Sequence, residues 1–170
     1  MAALSIAQLR EMIGTKTSKE FFAFASLTNG LPKGAITEIS GAGKTEFVLQ
    51  FLKEQTELKI AWIESQLSIF PFAFEQRGVS LERVLFVEGG EQSNWVALQV
   101  LKSQAFQVVV LYEEECELKT LRRMQIAAEK SAASLIWLTS KPQDAWPVGL
   151  QIKVTKRNGE IRPNILRERF

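Results

Sequence analysis

The sequence predicts an α/β domain: a mostly parallel sheet flanked by helices, with an antiparallel hairpin at its carboxyl end. Short apolar runs at 35–40 (AITEIS), 58–64 (LKIAWIE), 83–88 (RVLFVE), 107–112 (QVVVLY) and 134–139 (SLIWLT) alternate with helix-period segments. The runs are apolar nearly throughout, as expected of strands covered on both faces. The last two strand-like segments, 151–156 and 161–166, instead flank Asn158-Gly159, a strong hairpin signal.

Each element has its own warrant. The run at 35–40 leads straight into Gly41-Ala42-Gly43-Lys44-Thr45. Residues 45–55 then read as a helix, with Phe47, Val48, Phe51 and Leu52 on one stripe. Residues 66–77 read as a helix bent near Pro71 and ended by Gly78. Ser93 is a candidate N-cap for a helix in which Trp95, Leu98 and Leu101 share a face. The run at 107–112 is the most hydrophobic and is expected in the sheet interior. Residues 117–130 form a helix with Leu121, Met124 and Ala128 inward. Ahead of the first strand, 5–13 reads as a short amphipathic helix and 14–19 as a linker. No internal repeat or low-complexity tract interrupts this order.

Bulk properties bound the chemistry. A chain of 170 residues is the size of one domain and buries a core without covalent staples. A net charge of +2 creates no global field that demands nucleic acid or a membrane surface. Histidine is absent and Cys116 is the only cysteine, which excludes Ser-His and Cys-His nucleophiles, His-ligated metals and an internal disulfide. Arg10 and Glu11 interrupt any signal-peptide core, and no apolar run reaches spanning length. A cytoplasmic location, with no membrane partner, is the expectation.

The Gly41–Thr45 segment has the ingredients of a phosphate loop. Glycines permit the turn, N–H groups at a helix start face phosphate oxygens, a lysine contacts the terminal phosphates, and a Ser/Thr holds Mg²⁺. Gly41, Ala42, Gly43, Lys44 and Thr45 are therefore the candidate nucleotide-binding residues, with Thr45 the candidate Mg²⁺ ligand. The spacing departs from G-x-x-x-x-G-K-S/T, because counting back from Gly43 puts the first glycine position on Glu38. The loop is shorter, with fewer N–H donors. The alternative is a tight strand-to-helix turn that no longer binds nucleotide.

The stretch Asn29-Gly30-Leu31-Pro32-Lys33-Gly34-Ala35-Ile36-Thr37-Glu38-Ile39 resembles the "GGLPxGxhxEI" opening of the RecA-like ATPase core, which also runs into a phosphate loop. The resemblance covers roughly 20–158. It implies a RecA-like core over 21–158, which leaves an N-terminal helix and linker over 1–20 and a C-terminal strand and basic tail over 159–170 outside it. It also implies ATP and Mg²⁺ as ligands. The family's catalytic positions depart from its pattern, however. Gln66 stands where a water-activating glutamate is expected, with Glu64 as a displaced candidate. Tyr112 stands where the Mg²⁺-supporting aspartate ends its strand, with Glu113 as the shifted candidate. Thr139-Ser140 replace the γ-phosphate-sensing Asn-Gln pair, and 141–149 is short where recombinases carry a DNA-binding loop.

Such a chain is most similar to the ImuA/SulA-type RecA relatives of the bacterial DNA-damage (SOS) response. The resemblance implies an accessory protein of DNA repair or damage-induced mutagenesis, with a degenerate, non-hydrolysing nucleotide site in which ATP and Mg²⁺ are lost or loosely held. Implied partners are an ImuB-like polymerase relative or RecA. Two alternatives remain at this stage: an ATP-binding RecA-like ATPase of recombination, and a SulA-like inhibitor of cell division.

Other features are open to two interpretations. Lys153, Lys156, Arg157, Arg162, Arg167 and Arg169 face only Glu160 and Glu168 in the last segment, which suits DNA phosphates or an acidic partner, or a solvated edge hairpin. Glu113, Glu114, Glu115 and Glu117 suit a metal or an acidic helix start. Phe21, Phe22 and Phe24 are expected to pack on their own core, although Phe22-Ala23-Phe24-Ala25 fits a Phe-x-x-Ala docking pattern. Trp62, Trp95 and Trp137 are expected in the core and Trp146 exposed.

Overall fold

A computed structural model describes residues 19–170. The helix expected at 5–13 and most of the 14–19 linker lie outside the described residues. The chain forms a two-stranded ladder, β1 (Phe21–Phe22) with β2 (Leu31–Pro32), and a seven-stranded sheet. The sheet strands are β3 (Ala35–Ser40), β4 (Ile60–Glu64), β5 (Val84–Glu88), β6 (Val108–Tyr112), β7 (Ser134–Thr139), β8 (Val148–Arg157) and β9 (Glu160–Glu168), in the order β5-β4-β6-β7-β3-β8-β9. All neighbours run parallel except β8 and β9, which form the antiparallel edge hairpin around Asn158-Gly159. The predicted architecture is therefore the observed one. The β1–β2 ladder was not anticipated; two-residue strands leave no periodic signal.

Alternation along the strands builds two cores. Ile39, Trp62, Val110 and Leu138 pack with Phe47, Val48, Phe51 and Leu52 of α1 (Lys44–Glu54) and Phe74 of α2 (Phe72–Gln76). On the opposite face, Ile36, Ile63, Val109, Leu111 and Leu135 pack with Leu98 and Leu101 of α3 (Ser93–Ser103) and Leu121, Met124 and Ala128 of α4 (Leu118–Ser131). Of the N-terminal aromatics expected to pack on their own core, Phe22 and Phe24 do, with Phe24 edge-on to Phe47 and Phe51 at centroid distances of 5.0 and 5.4 Å, whereas Phe21 is half-buried against Phe170 at 5.7 Å.

Three local expectations are corrected. The helix predicted over 66–77 is confined to α2, because Ser68 turns back to donate to Glu64 and Pro71 takes the N-cap position. Ser93 is the first helical residue rather than the cap, its hydroxyl donating to the Gly90 carbonyl at 2.8 Å. Trp95 is 58% exposed, while Leu98 and Leu101 are buried; α3 turns a narrower face inward than its pattern suggested.

Arg83 ties the carboxyl end of α1 to β5. Its guanidinium donates to the carbonyls of Leu52 and Gln55, each at 2.5 Å, and of Leu58 at 3.2 Å. A cation there satisfies carbonyls that a helix end leaves open. Arg83→Ala is expected to cost about 1–2 kcal/mol, measured as a lowered urea midpoint with unchanged slope.

Candidate functional site

The glycine loop lies where β3 hands over to α1. Gly41 and Gly43 both take left-handed backbone angles, φ 91° and 87°. Gly43 occupies the N-cap position, and its carbonyl accepts the Phe47 N–H at 2.9 Å. No side chain caps α1 among the described residues, and Thr45 is half-buried in its first turn. Glu46, also in that turn, is paired with Arg77. The β8–β9 hairpin presses on the loop. A Cβ on Gly41 would lie 2.3 Å from the Val154 carbonyl oxygen, and one on Gly43 would lie 3.5 Å from Lys156 Cβ. Gly41 thus lets the chain pass over the backbone of β8.

Lys44 reaches across the strand ends to β6. Its ammonium sits 4.9 Å from the centroid of the Tyr112 ring, a cation–π contact. Tyr112 is in register with Glu64 on β4 and Leu138 on β7. The residue at the expected aspartate position therefore contacts the lysine directly, with a ring instead of a carboxylate.

The two displaced carboxylates have different surroundings. Glu64 is buried: its Oε1 accepts from Trp62 Nε1 at 2.7 Å, and its Oε2 accepts from the Ser68 N–H at 2.6 Å and the Ser68 hydroxyl at 2.7 Å. Those donors hold it as the anchor of the turn after β4. Glu113 is half-buried, and burial pushes its carboxyl above the usual carboxylate range, with the neighbouring Glu114 charge adding to the shift. Its main chain ties β6 to β7, donating to the Leu138 carbonyl at 3.3 Å and accepting from Trp137 Nε1 at 2.8 Å.

Glu114, read from the sequence only as one of an acidic run suited to a metal or a helix start, has a specific partner in Ser140. Its Oε1 accepts from the Ser140 hydroxyl at 2.5 Å and its Oε2 from the Ser140 N–H at 2.9 Å. The hydroxyl bond, then the backbone bond and the Lys44 charge, hold its carboxyl below the usual range. Glu64, Gln66, Tyr112, Glu113 and Glu114 together line a cavity of about 230 Å³ at the carboxyl ends of β4 and β6. Open α/β sheets place ligands at such strand ends. Among the described residues no group of three or more His, Cys, Asp or Glu side chains is placed to hold a metal ion.

Glu38, at the position of the missing first glycine, is fully buried. Its Oε1 accepts from Thr139 Oγ1 at 3.0 Å and the Gln143 N–H at 2.8 Å, and its Oε2 accepts from Gln151 Nε2 at 2.6 Å. It fastens the loop after β7 to three strands.

The basic hairpin divides. Lys153, Lys156, Arg157, Arg162 and Arg169 are exposed, with Arg162 bound to Glu160 at 2.7 Å. Arg167 turns inward to the Ala145 carbonyl at 2.8 Å and Asp144 at 3.4 Å. No helix among the described residues is long and apolar enough to cross a membrane. No family model matches the chain, and no characterised protein matches it closely enough to count as a relative.

Proposed function

We propose that this is a cytoplasmic RecA-like accessory protein of DNA repair or damage-induced mutagenesis, acting through protein contacts, with a degenerate nucleotide site that does not turn over ATP. The observation that carries this reading is the Lys44 ammonium over the Tyr112 ring. Phosphoryl transfer needs a lysine on the terminal phosphates, a carboxylate-held Mg²⁺ and a positioned water together. Here the lysine lies against an aromatic ring, Glu64 is held by Trp62 and Ser68, and Glu114 is held by Ser140. These residues do not fit a metal-bound triphosphate, so no catalytic step is assigned to them. Protein contact is supported by exposed aromatic surface: Phe70 and Phe72 stand 64% and 57% exposed with centroids 5.5 Å apart.

The partner expected is an ImuB-like polymerase relative or RecA itself. The purified chain should show no ATP hydrolysis that depends on Lys44, so wild type and Lys44→Ala should give the same background rate. Turnover well above background that vanishes in Lys44→Ala would refute the reading.

A further inference from the structure

On the sheet face opposite α1, a second cavity of about 550 Å³ opens between the start of α3, the segment after β6 and the loop after β7. That volume lies in the range of sites that enclose a small ligand or an anchoring side chain. Its lining includes Asn94, Glu115, Glu117, Leu118, Trp137 and Asp144. Two observations define what it would accept. The Asn94 side-chain oxygen is buried with no hydrogen-bond partner among the described residues, so it calls for a donor. The charged lining is acidic, through Glu115, Glu117 and Asp144, of which Asp144 is already paired with Arg167 at 3.4 Å and the two glutamates are exposed.

The rim is apolar and aromatic. Leu118 is 48% exposed and Trp146, next to the lining residue Ala145, is 52% exposed. The Arg122 guanidinium lies 5.4 Å from the Trp146 ring centroid, a cation–π contact within the chain itself. Carboxylates, an orphan acceptor and aromatic rims together match a guanidinium or ammonium on an apolar stem. They oppose a phosphate backbone, which needs cations and donors.

We propose that this cavity docks a partner protein through an arginine or lysine flanked by apolar residues. The proposal rests on the protein-contact reading above and gives that contact a place and a chemistry. The occupant is assigned by charge complementarity, with the rim supplying apolar area around a charged anchor.

The test is an amide and indole NMR titration of the full chain with acetyl-Leu-Arg-Leu-amide and with its citrulline counterpart. The arginine peptide should shift the Trp137 indole, Trp146 indole and Asn94 side-chain signals. Citrulline should bind at least about tenfold more weakly, since the charge contributes to the affinity. Glu115→Gln with Glu117→Gln, both at exposed positions, should weaken the arginine peptide by about fivefold or more. Equal shifts with citrulline, or none with either peptide, would overturn the proposal. So would shifts of the same signals by a twelve-residue oligothymidylate, which would make the face a nucleic-acid site. Shifts produced by Arg10→Gln or Lys16→Gln, with no response to added peptide, would assign the cavity to the chain's own first residues and overturn it too. Failure of the accessory reading registers separately, as Lys44-dependent ATP turnover.

Discussion

Glu38→Ala is expected to lower the unfolding free energy by about 3–5 kcal/mol, read from equilibrium denaturation. Truncation removes the common acceptor of Thr139, the Gln143 N–H and Gln151. Each buried donor left without a partner costs about 1–3 kcal/mol, and partial relaxation of the loop after β7 keeps the total below the sum. Glu38→Gln should cost only about 1–2 kcal/mol. Its amide oxygen still accepts from Thr139 and Gln143, but its NH₂ meets the NH₂ of Gln151. Gln151 does not rotate away freely, because its Nε2 also donates to the Gln143 carbonyl at 2.7 Å.

The same pair of variants has a pH signature. Burial holds the Glu38 carboxyl above the usual range, against the pull of Gln151, Gln143, Thr139 and the Arg167 charge. The folded state therefore takes up this proton at a higher pH than the unfolded chain does. The stabilisation it contributes is complete below the unfolded pKa and is lost as pH rises through the folded value. Asp144, bound to Arg167, is the other acidic side chain at that end of the network. Wild type should lose stability across that window, and Glu38→Gln, which carries no proton to lose, should lack that component. Equal slopes for the two proteins would refute a raised Glu38, and equal costs for Ala and Gln would refute the acceptor role.

Legibility followed the physics of each feature. β3 and β7 carry the boundaries the sequence suggested because both are buried along their whole length, so the apolar run and the strand coincide. The hairpin turn was readable because Asn158 and Gly159 both take positive φ, 51° and 79°, which the two-residue turn demands. The helix expected over 66–77 was misread because a buried carboxylate on the previous strand outcompetes its first turns for the Ser68 N–H. Trp95 was misread because apolar spacing alone does not tell a core face from an exposed one. In the candidate site, the loop and its lysine were legible as local sequence. The Lys44–Tyr112 and Glu114–Ser140 contacts join residues far apart in sequence that sheet order brings together, and no local pattern encodes them.

Gly41→Ala is expected to cost about 3–5 kcal/mol, and Gly43→Ala only about 1–2 kcal/mol. The motif treats the two glycines alike, and both have positive φ, so an added Cβ is strained at either. They differ in what that Cβ meets. At Gly41 it falls 2.3 Å from the Val154 carbonyl oxygen, a backbone atom in the interior of the β8–β9 ladder that cannot step aside alone. At Gly43 the nearest atom is Lys156 Cβ at 3.5 Å, an ordinary contact. Thermal or urea unfolding of the two variants separates them, and a larger loss for Gly43→Ala would refute the close approach to β8. A glycine kept for phosphate contact predicts the opposite pattern at Gly41: stability near that of a simple strained turn, and a defect seen only with nucleotide present. If Gly41→Ala is instead severely destabilised without any ligand, the fold by itself requires this glycine. Its presence then says nothing about phosphate, and a nucleotide role is left to be tested on the rest of the loop, first on Lys44 and Thr45.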